Sequence, residues 1–309
     1  MAGHAILPQI GDADLKLLQI FRTVAECGGL AASETELNIG RSTISKHLSD
    51  LEHRLGLRLC DRGPAGFSLT DDGAKVLQAA ETLLGAVSNF RSQVNEVKKQ
   101  LVGTVHLAMF DQFLTNPEAN LAHAIAEFNA IAPEVEIELS LMAPTQIELQ
   151  VMEGAVDIGI TTMHRTNSAL HYLPIYGEDM FLYCSDTHPF FDRAPDGLTM
   201  NDLKQSNFVG LKFNSPNLQF SKKLGVRTTA KVQNEQTLAL LVLSGSYIGF
   251  LPDHLAASFV EKGRMRRILP DHLYYRSRFA AVSRRSPQVN RISRLFLDIL
   301  HRHHMKNPQ

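Results

Sequence analysis

Ile39-Gly40-Arg41-Ser42-Thr43-Ile44-Ser45-Lys46-His47-Leu48-Ser49-Asp50-Leu51-Glu52-His53-Arg54-Leu55 decides how the N-terminal part of the chain folds. Ile44, Leu48, Leu51 and Leu55 recur at 4-3-4 spacing, one apolar stripe of a helix. Ser42, Lys46, Ser49 and His53 must then project from the opposite face. Upstream, Asn38-Ile39-Gly40 makes a tight turn after a short helix over Ala31 to Leu37. Before that, Leu17, Leu18, Phe21, Val24 and Ala25 mark a helix over Asp14 to Cys27, which Gly28-Gly29 stops where a left-handed cap favours glycine. Two short helices around a glycine turn, the second with a polar outer face, form a helix-turn-helix pattern. Downstream, Leu57 to Leu59 and Phe67 to Leu69 are expected to be two strands of a wing, with Arg62 to Gly66 as their turn.

Asp71 to Leu101 contains no proline. Val76, Ala80, Leu83, Val87, Phe90, Val94, Val97 and Leu101 alternate by four and three residues, a heptad seam that predicts one long helix pairing with another helix. The partner is either a second copy of the chain or the chain's own C-terminal part; dimerisation is the expectation.

From Gly103 onward the texture changes. Strand-like runs at Thr104 to Met109, Val135 to Leu141 and Val156 to Ile160 alternate with helical runs at Pro117 to Ile131 and Thr145 to Glu153. That alternation predicts a parallel sheet with right-handed crossovers. It resumes with strands at Met180 to Cys184, Phe208 to Gly210, Thr228 to Val232 and Tyr247 to Phe250, and helices at Ser215 to Leu224, Glu235 to Leu243 and Asp253 to Lys262. A last strand, Leu273 to Val282, and a helix, Pro287 to His301, would return to the first lobe. The expected organisation is therefore a winged helix-turn-helix domain over residues 1–70, a linker and dimerisation helix over 71–102, and two Rossmann-like α/β lobes over 103–309. The first lobe takes residues 103–163 and 269–309 and the second 164–268.

Composition constrains the function. The 309 residues carry a net charge of −1, with three cysteines at unrelated spacing. Such usage offers no disulfide framework and no CxxC metal pair. The uncharged apolar runs fall short of a membrane span, and Met1 to Gln9 lacks the character of a secretory signal, so a cytoplasmic protein without a membrane partner is expected. The near-neutral total conceals unlike parts. Residues 103–260 hold 8 basic groups against 17 acidic, residues 261–309 hold 12 against 3, and Arg41 to Arg62 holds five against three. Nucleic acid is not excluded, because a local positive face remains possible.

These residues together resemble the LysR-type transcriptional regulators. The likeness is carried by Leu15-Lys16-Leu17-Leu18-Gln19-Ile20-Phe21, Val24-Ala25-Glu26, Leu37-Asn38-Ile39, Ile44-Ser45-Lys46-His47-Leu48, Leu51 through Leu59, Arg62, Phe67-Ser68-Leu69-Thr70 and Gly73. Further along, Pro133, Gly154 to Ile160 and Gly249-Phe250-Leu251-Pro252 match in pattern. The resemblance implies a winged helix-turn-helix, a dimerising linker helix, and an effector domain like those of periplasmic binding proteins. It also implies operator DNA, a small-molecule effector, a further association to tetramers and RNA polymerase as partners, with no cofactor and no bound metal. Two positions depart from the family: Arg41-Ser42 stands where many members have Gln-Pro, and Cys60 where an aromatic residue is common.

An α-helix fits the major groove, and short polar side chains on its outer face reach base edges. Ser42, Ser45, Lys46 and Ser49 are the groove candidates, and Arg41 and Thr43 start the helix where free N–H groups favour a phosphate. Arg54, Arg58 and Arg62 suit backbone contacts. In open α/β sheets, ligands sit beyond the carboxyl ends of strands. Those positions are Asp111, Gln112, Thr115 and Asn116 after the first strand, Met142 and Thr145 after the second, and Thr161 and Thr162 after the third. The other lobe offers Asn214, Ser215, Gln233 and Asn234. Each could equally be a helix cap or turn residue. Hydroxyls and amides suit a polar metabolite, often a carboxylate in this family, which Asp111 would oppose. No Walker loop or dinucleotide fingerprint is present, and Gly245-Ser246-Tyr247-Ile248-Gly249 puts its serine in the wrong place for a nucleophile elbow. A binding protein without transcriptional output is the competing class, and an enzyme the third.

Overall fold

The computed structural model describes residues 10–63, 66–97, 101–110, 113–163, 166–193, 197–286 and 289–305. The chain divides into two compact units, one comprising chiefly residues 1–91 and the other chiefly the remainder.

In the first unit, α1 (Asp12–Glu26), α2 (Ser33–Leu37) and α3 (Arg41–Leu55) fold around Phe21, Val24, Ile44, Leu48 and Leu51. The turns end as the sequence requires. Asn38 adopts a left-handed conformation at φ 51°, and Gly56 caps α3 at φ 63° while the Leu57 amide donates back to the Glu52 carbonyl (3.2 Å). That cap corrects the wing. Residues 57–59 serve as the connection out of α3, and the strands are β1 (Cys60–Gly63) and β2 (Gly66–Leu69), antiparallel from Cys60 opposite Leu69. Pro64 and Ala65, within the expected turn, lie outside the described residues.

The long helix α4 (Asp71–Val97) begins where the Thr70 hydroxyl accepts from the Gly73 amide (2.9 Å). Its seam is not uniform. Ala80 is buried in the core of the winged domain, with Val76 and Leu83 packed against it. Val87 is half-buried, whereas Phe90 and Val94 stand 66% and 43% exposed. The Val97 side chain lies outside the description, and Leu101 packs on the core of the first lobe.

In the second unit, β3 (Gly103–Met109), β4 (Val135–Leu141) and β5 (Ile158–Thr162) form the expected parallel array, with α5 (Leu121–Ile131) and α6 (Pro144–Glu153) as crossovers. The remainder of the sheet runs the other way. β6 (Leu170–Ser185) extends 16 residues and pairs antiparallel with β11 (Tyr274–Arg284), which in turn pairs antiparallel with β5. The expected strand at Met180 to Cys184 is thus only the end of β6. Pro174 and Gly177 disguise its first half, and they sit where the register against β11 slips between Arg278 and Ala280, a bulge that tolerates a missing N–H.

The second lobe contains α7 (Met200–Gln205), the parallel pair β7 (Phe208–Leu211) and β8 (Thr228–Val232), α8 (Pro216–Leu224) and α9 (Glu235–Leu243). Then β9 (Gly249–Pro252) pairs with β6, followed by α10 (Asp253–Glu261) and β10 (Met265–Arg267), also on β6. The C-terminal helix α11 (Arg291–Met305) joins the first-lobe core through Phe296, which meets Phe128 edge-on at 5.2 Å. Among the described residues no helix is long and apolar enough to cross a membrane.

Candidate functional site

The outer face of α3 is built by what its inner face buries. With Ile44, Leu48 and Leu51 held in the core, Arg41, Ser42, Thr43, Lys46 and Ser49 are exposed and Ser45 is half-buried. The arginines further on behave differently. Arg54 grips the buried Asp14 carboxylate (Nη2–Oδ2 3.0 Å), clamping α3 to α1. Asp14 also accepts from the Gly11 amide (2.9 Å); this bond and Arg54 hold its carboxyl below the usual carboxylate range. Arg62 is ion-paired with Glu52, whose other oxygen accepts from the amides of Leu59 (2.8 Å) and Cys60 (3.2 Å). Glu52 therefore ties the wing to α3. Arg58 is largely exposed and meets Asp61 at 3.0 Å. Arg41 and Lys46 are thus presented outward, while Arg54 and Arg62 are bound to carboxylates of their own domain.

Cys60 is buried in this core, and burial pushes its thiol up to about 11. A redox sensor needs the opposite shift. Of the C-terminal histidines, His303 meets Glu127 (2.7 Å) and His304 meets the Ala119 carbonyl (2.8 Å). Among the described residues no cluster of three or more His, Cys, Asp or Glu could hold a metal ion.

The expected effector positions divide. Asp111 and Gln112 lie outside the described residues. Thr115 donates to or accepts from His254 Nδ1 (2.8 Å) at the start of α10, joining the loop after β3 to the second lobe. Asn116 is buried and spends its amide on the Gly177 carbonyl (3.1 Å) and the Glu118 amide (2.9 Å), a loop-shaping role. Met142 packs against the first-lobe core, and Thr145 is exposed at the start of α6. Thr161 is fully buried with no partner for its hydroxyl, and Thr162 is buried beside it. Ser215 and Asn234 are N-caps, accepting from Leu218 (3.2 Å) and Thr237 (2.9 Å), while Asn214 and Gln233 are exposed.

Other residues meet where β6 and β11 pass between the lobes. Glu178 lies opposite Ser277 in register, only 5% exposed, and its carboxylate meets His254 Nε2 at 3.1 Å. Glu235, in the first turn of α9, is equally buried. The hydroxyls of Tyr176 and Tyr275 are held well above their usual range, first by burial and then by the negative charges of both glutamates. Phe110 of the first lobe meets Phe213 of the second edge-on at 5.2 Å. Sequence reasoning looked beyond strand ends and missed this group, which sits within a strand and a helix turn. The acidic pair Glu178-Asp179 inside the run Tyr176 to Leu182 was the available signal.

This architecture and these residues define a bacterial helix-turn-helix regulator with a ligand-binding domain. The description "Bacterial regulatory helix-turn-helix protein, lysR family" matches residues 15–74, and "LysR substrate binding domain" matches residues 98–305. The chain belongs to the LysR family: it is a transcriptional regulator with a DNA-binding region and an effector-binding domain. It is 36% identical over 292 residues to the HTH-type transcriptional activator BauR of Pseudomonas aeruginosa, covering 94% of this chain and 96% of that one. It is 27% identical to the HTH-type transcriptional regulator MetR of Escherichia coli, over 81% of this chain and 78% of that one. In fold it is similar to the LysR family regulator CbnR in a full-length complex with target DNA, with a TM-score of 0.62, 18% identity, and coverage of 94% of this chain and 99% of that one.

Proposed function

We propose that the α3 face reads double-stranded operator DNA through Arg41, Ser42, Thr43, Ser45, Lys46 and Ser49, with Arg58 on the phosphate backbone. The observation that carries this is the core-fixed orientation of α3, which turns two cations and four hydroxyls outward on one helix. In this reading residues 1–70 bind DNA, residues 71–102 dimerise through the exposed Phe90 and Val94, and residues 103–309 bind a small effector between lobes 103–163 with 269–309 and 164–268. Dimers associate into tetramers and engage RNA polymerase in the cytoplasm, and the protein has no enzymatic activity. Effector binding acts by differential affinity for two quaternary arrangements. The match over residues 15–74 favours this over a binding protein without transcriptional output. Gel shifts on DNA flanking the gene test it: Lys46→Ala should weaken specific binding by roughly tenfold or more. An unchanged shift would remove α3 from the groove.

A further inference from the structure

The first lobe holds a concave site of its own, away from the cleft between the lobes and independent of where the effector sits. At the first-lobe end of the β6–β11 ribbon, Ser283 lies opposite His171. Seven strand residues separate His171 from Glu178, about 23 Å of extended chain. The pleat turns alternate residues to one side, so His171, Leu173 and Ser283 share a face. Beside that face runs α11, which turns Arg294, Leu297, Asp298 and His301 toward it at i, i+3, i+4 and i+7. Sheet face and helix side enclose a cavity of about 770 Å³, with Arg284 and Arg285 at its lip where β11 ends. That volume falls in the range of small-ligand pockets, about 300–1,000 Å³.

Floor and lip differ in character. Leu173 and Leu297 are half-buried and packed on the first-lobe core, so the floor is apolar. The lip is cationic, because residues 272–309 hold eight Lys and Arg and a single acidic residue, Asp298. Asp298 stands four residues from Arg294 on α11, where opposite charges are neighbours and offset each other. The surplus therefore falls on Arg284 and Arg285, neither of which forms an ion pair among the described residues. Arg285 is held at two points. Its amide donates to the Ala169 carbonyl (3.1 Å) and its Nε to the Leu170 carbonyl (2.8 Å). The guanidinium is thus oriented before any ligand arrives, and its two terminal nitrogens keep donors that a carboxylate or phosphate takes in pairs. Cations gathered at the mouth of a depression focus their field on a small anion inside it.

We propose that this cavity binds a small organic anion, its carboxylate or phosphate head held by Arg285 with Arg284 beside it, and its apolar body lying on Leu173 and Leu297. Because the ribbon end and α11 belong to one lobe, binding here requires no closure of the cleft.

The test is isothermal calorimetry and thermal shift on the full chain. Phenyl phosphate and benzoate are the anionic probes, inorganic phosphate is a head without a body, and benzyl alcohol is a body without a charge. At least one aromatic anion should bind at millimolar concentration or below, and the stronger of the two identifies the head. Inorganic phosphate and benzyl alcohol should each bind at least about tenfold more weakly. Arg285→Ala should weaken the anion by about tenfold or more, as expected for losing charge-assisted hydrogen bonds. Arg285→Lys, which keeps the charge but not the fork, should recover only part of that loss, and Asp298→Asn should tighten binding. If Arg285→Ala fails to fold, the Arg285→Lys and Asp298→Asn pair decides. Anion binding indifferent to all three substitutions lies elsewhere on the chain and overturns the site. Equal binding of inorganic phosphate overturns the apolar floor, equal binding of benzyl alcohol overturns the cationic lip, and silence from both aromatic anions overturns the proposal.

Discussion

The winged domain and the effector domain use opposite charges in opposite ways. In residues 10–91 two carboxylates are spent inside, Asp14 securing Arg54 and Glu52 securing Arg62, while Arg41 and Lys46 stand outward on α3. In the effector domain Glu178, on the strand that passes between the lobes, is buried against His254, and Glu235 is buried in the first turn of α9, while acidic and basic groups elsewhere pair at the surface, as Glu127 does with Arg302. The difference teaches that counting charge along the chain locates neither site. What matters is which charges the fold consumes and which it leaves on an outer face.

The comparison is broken most severely by removing a core. Phe21 is fully buried, and Phe21→Ala should cost about 3–5 kcal/mol of the winged domain's stability. Differential scanning calorimetry should show its transition lowered while that of the effector domain stays in place, and loss of both together would mean that the two regions do not melt as separate units. A smaller effect sharpens the division among arginines. Arg62→Ala should lower stability by about 1 kcal/mol, because Glu52 loses its cation at a partly buried site while keeping the Leu59 and Cys60 amides, and should leave the salt dependence of DNA binding unchanged. Arg41→Ala should instead leave stability alone and reduce the salt slope by about one. The reverse pattern in binding titrations would exchange their roles.

The smallest effect is in pH. The Asp14 carboxyl is held low in the folded state, so its contribution is complete above the ordinary carboxylate pKa near 3.9 and fades as pH falls through the lowered value. Asp14→Asn should lose that contribution at neutral pH and flatten the acid limb of the stability profile. Parallel acid limbs for the two proteins, from denaturant melts across pH, would show that Asp14 contributes nothing there.

Much of this was legible in local patterns. The 4-3-4 stripe of α3, the glycine stops, and the alternation from β3 through α6 are all short-range, and the structure keeps them with small shifts at the ends. The first half of β6 was hidden because Pro174 and Gly177 read as interruptions, and only pairing with a strand about a hundred residues later makes them a bulge. Arg62 illustrates the same limit at the site. Its basic character is visible, but its engagement by Glu52 depends on the wing folding back on α3. Likewise the heptad seam reads as continuous, whereas Ala80 and its neighbours are consumed by the winged domain and, among the described residues, Phe90 and Val94 remain outward.

The ribbon of β6 and β11 has a consequence for how movement would be seen. Its rungs run from Tyr274 opposite Phe181 to Arg284 opposite Leu170, with a single slip. A change of angle between the lobes must be absorbed by twisting this ladder rather than by opening it. In deuterium exchange the pivot would therefore be among the slowest parts of the domain, and a search for mobility that looked for fast-exchanging amides would pass over the place where the motion occurs.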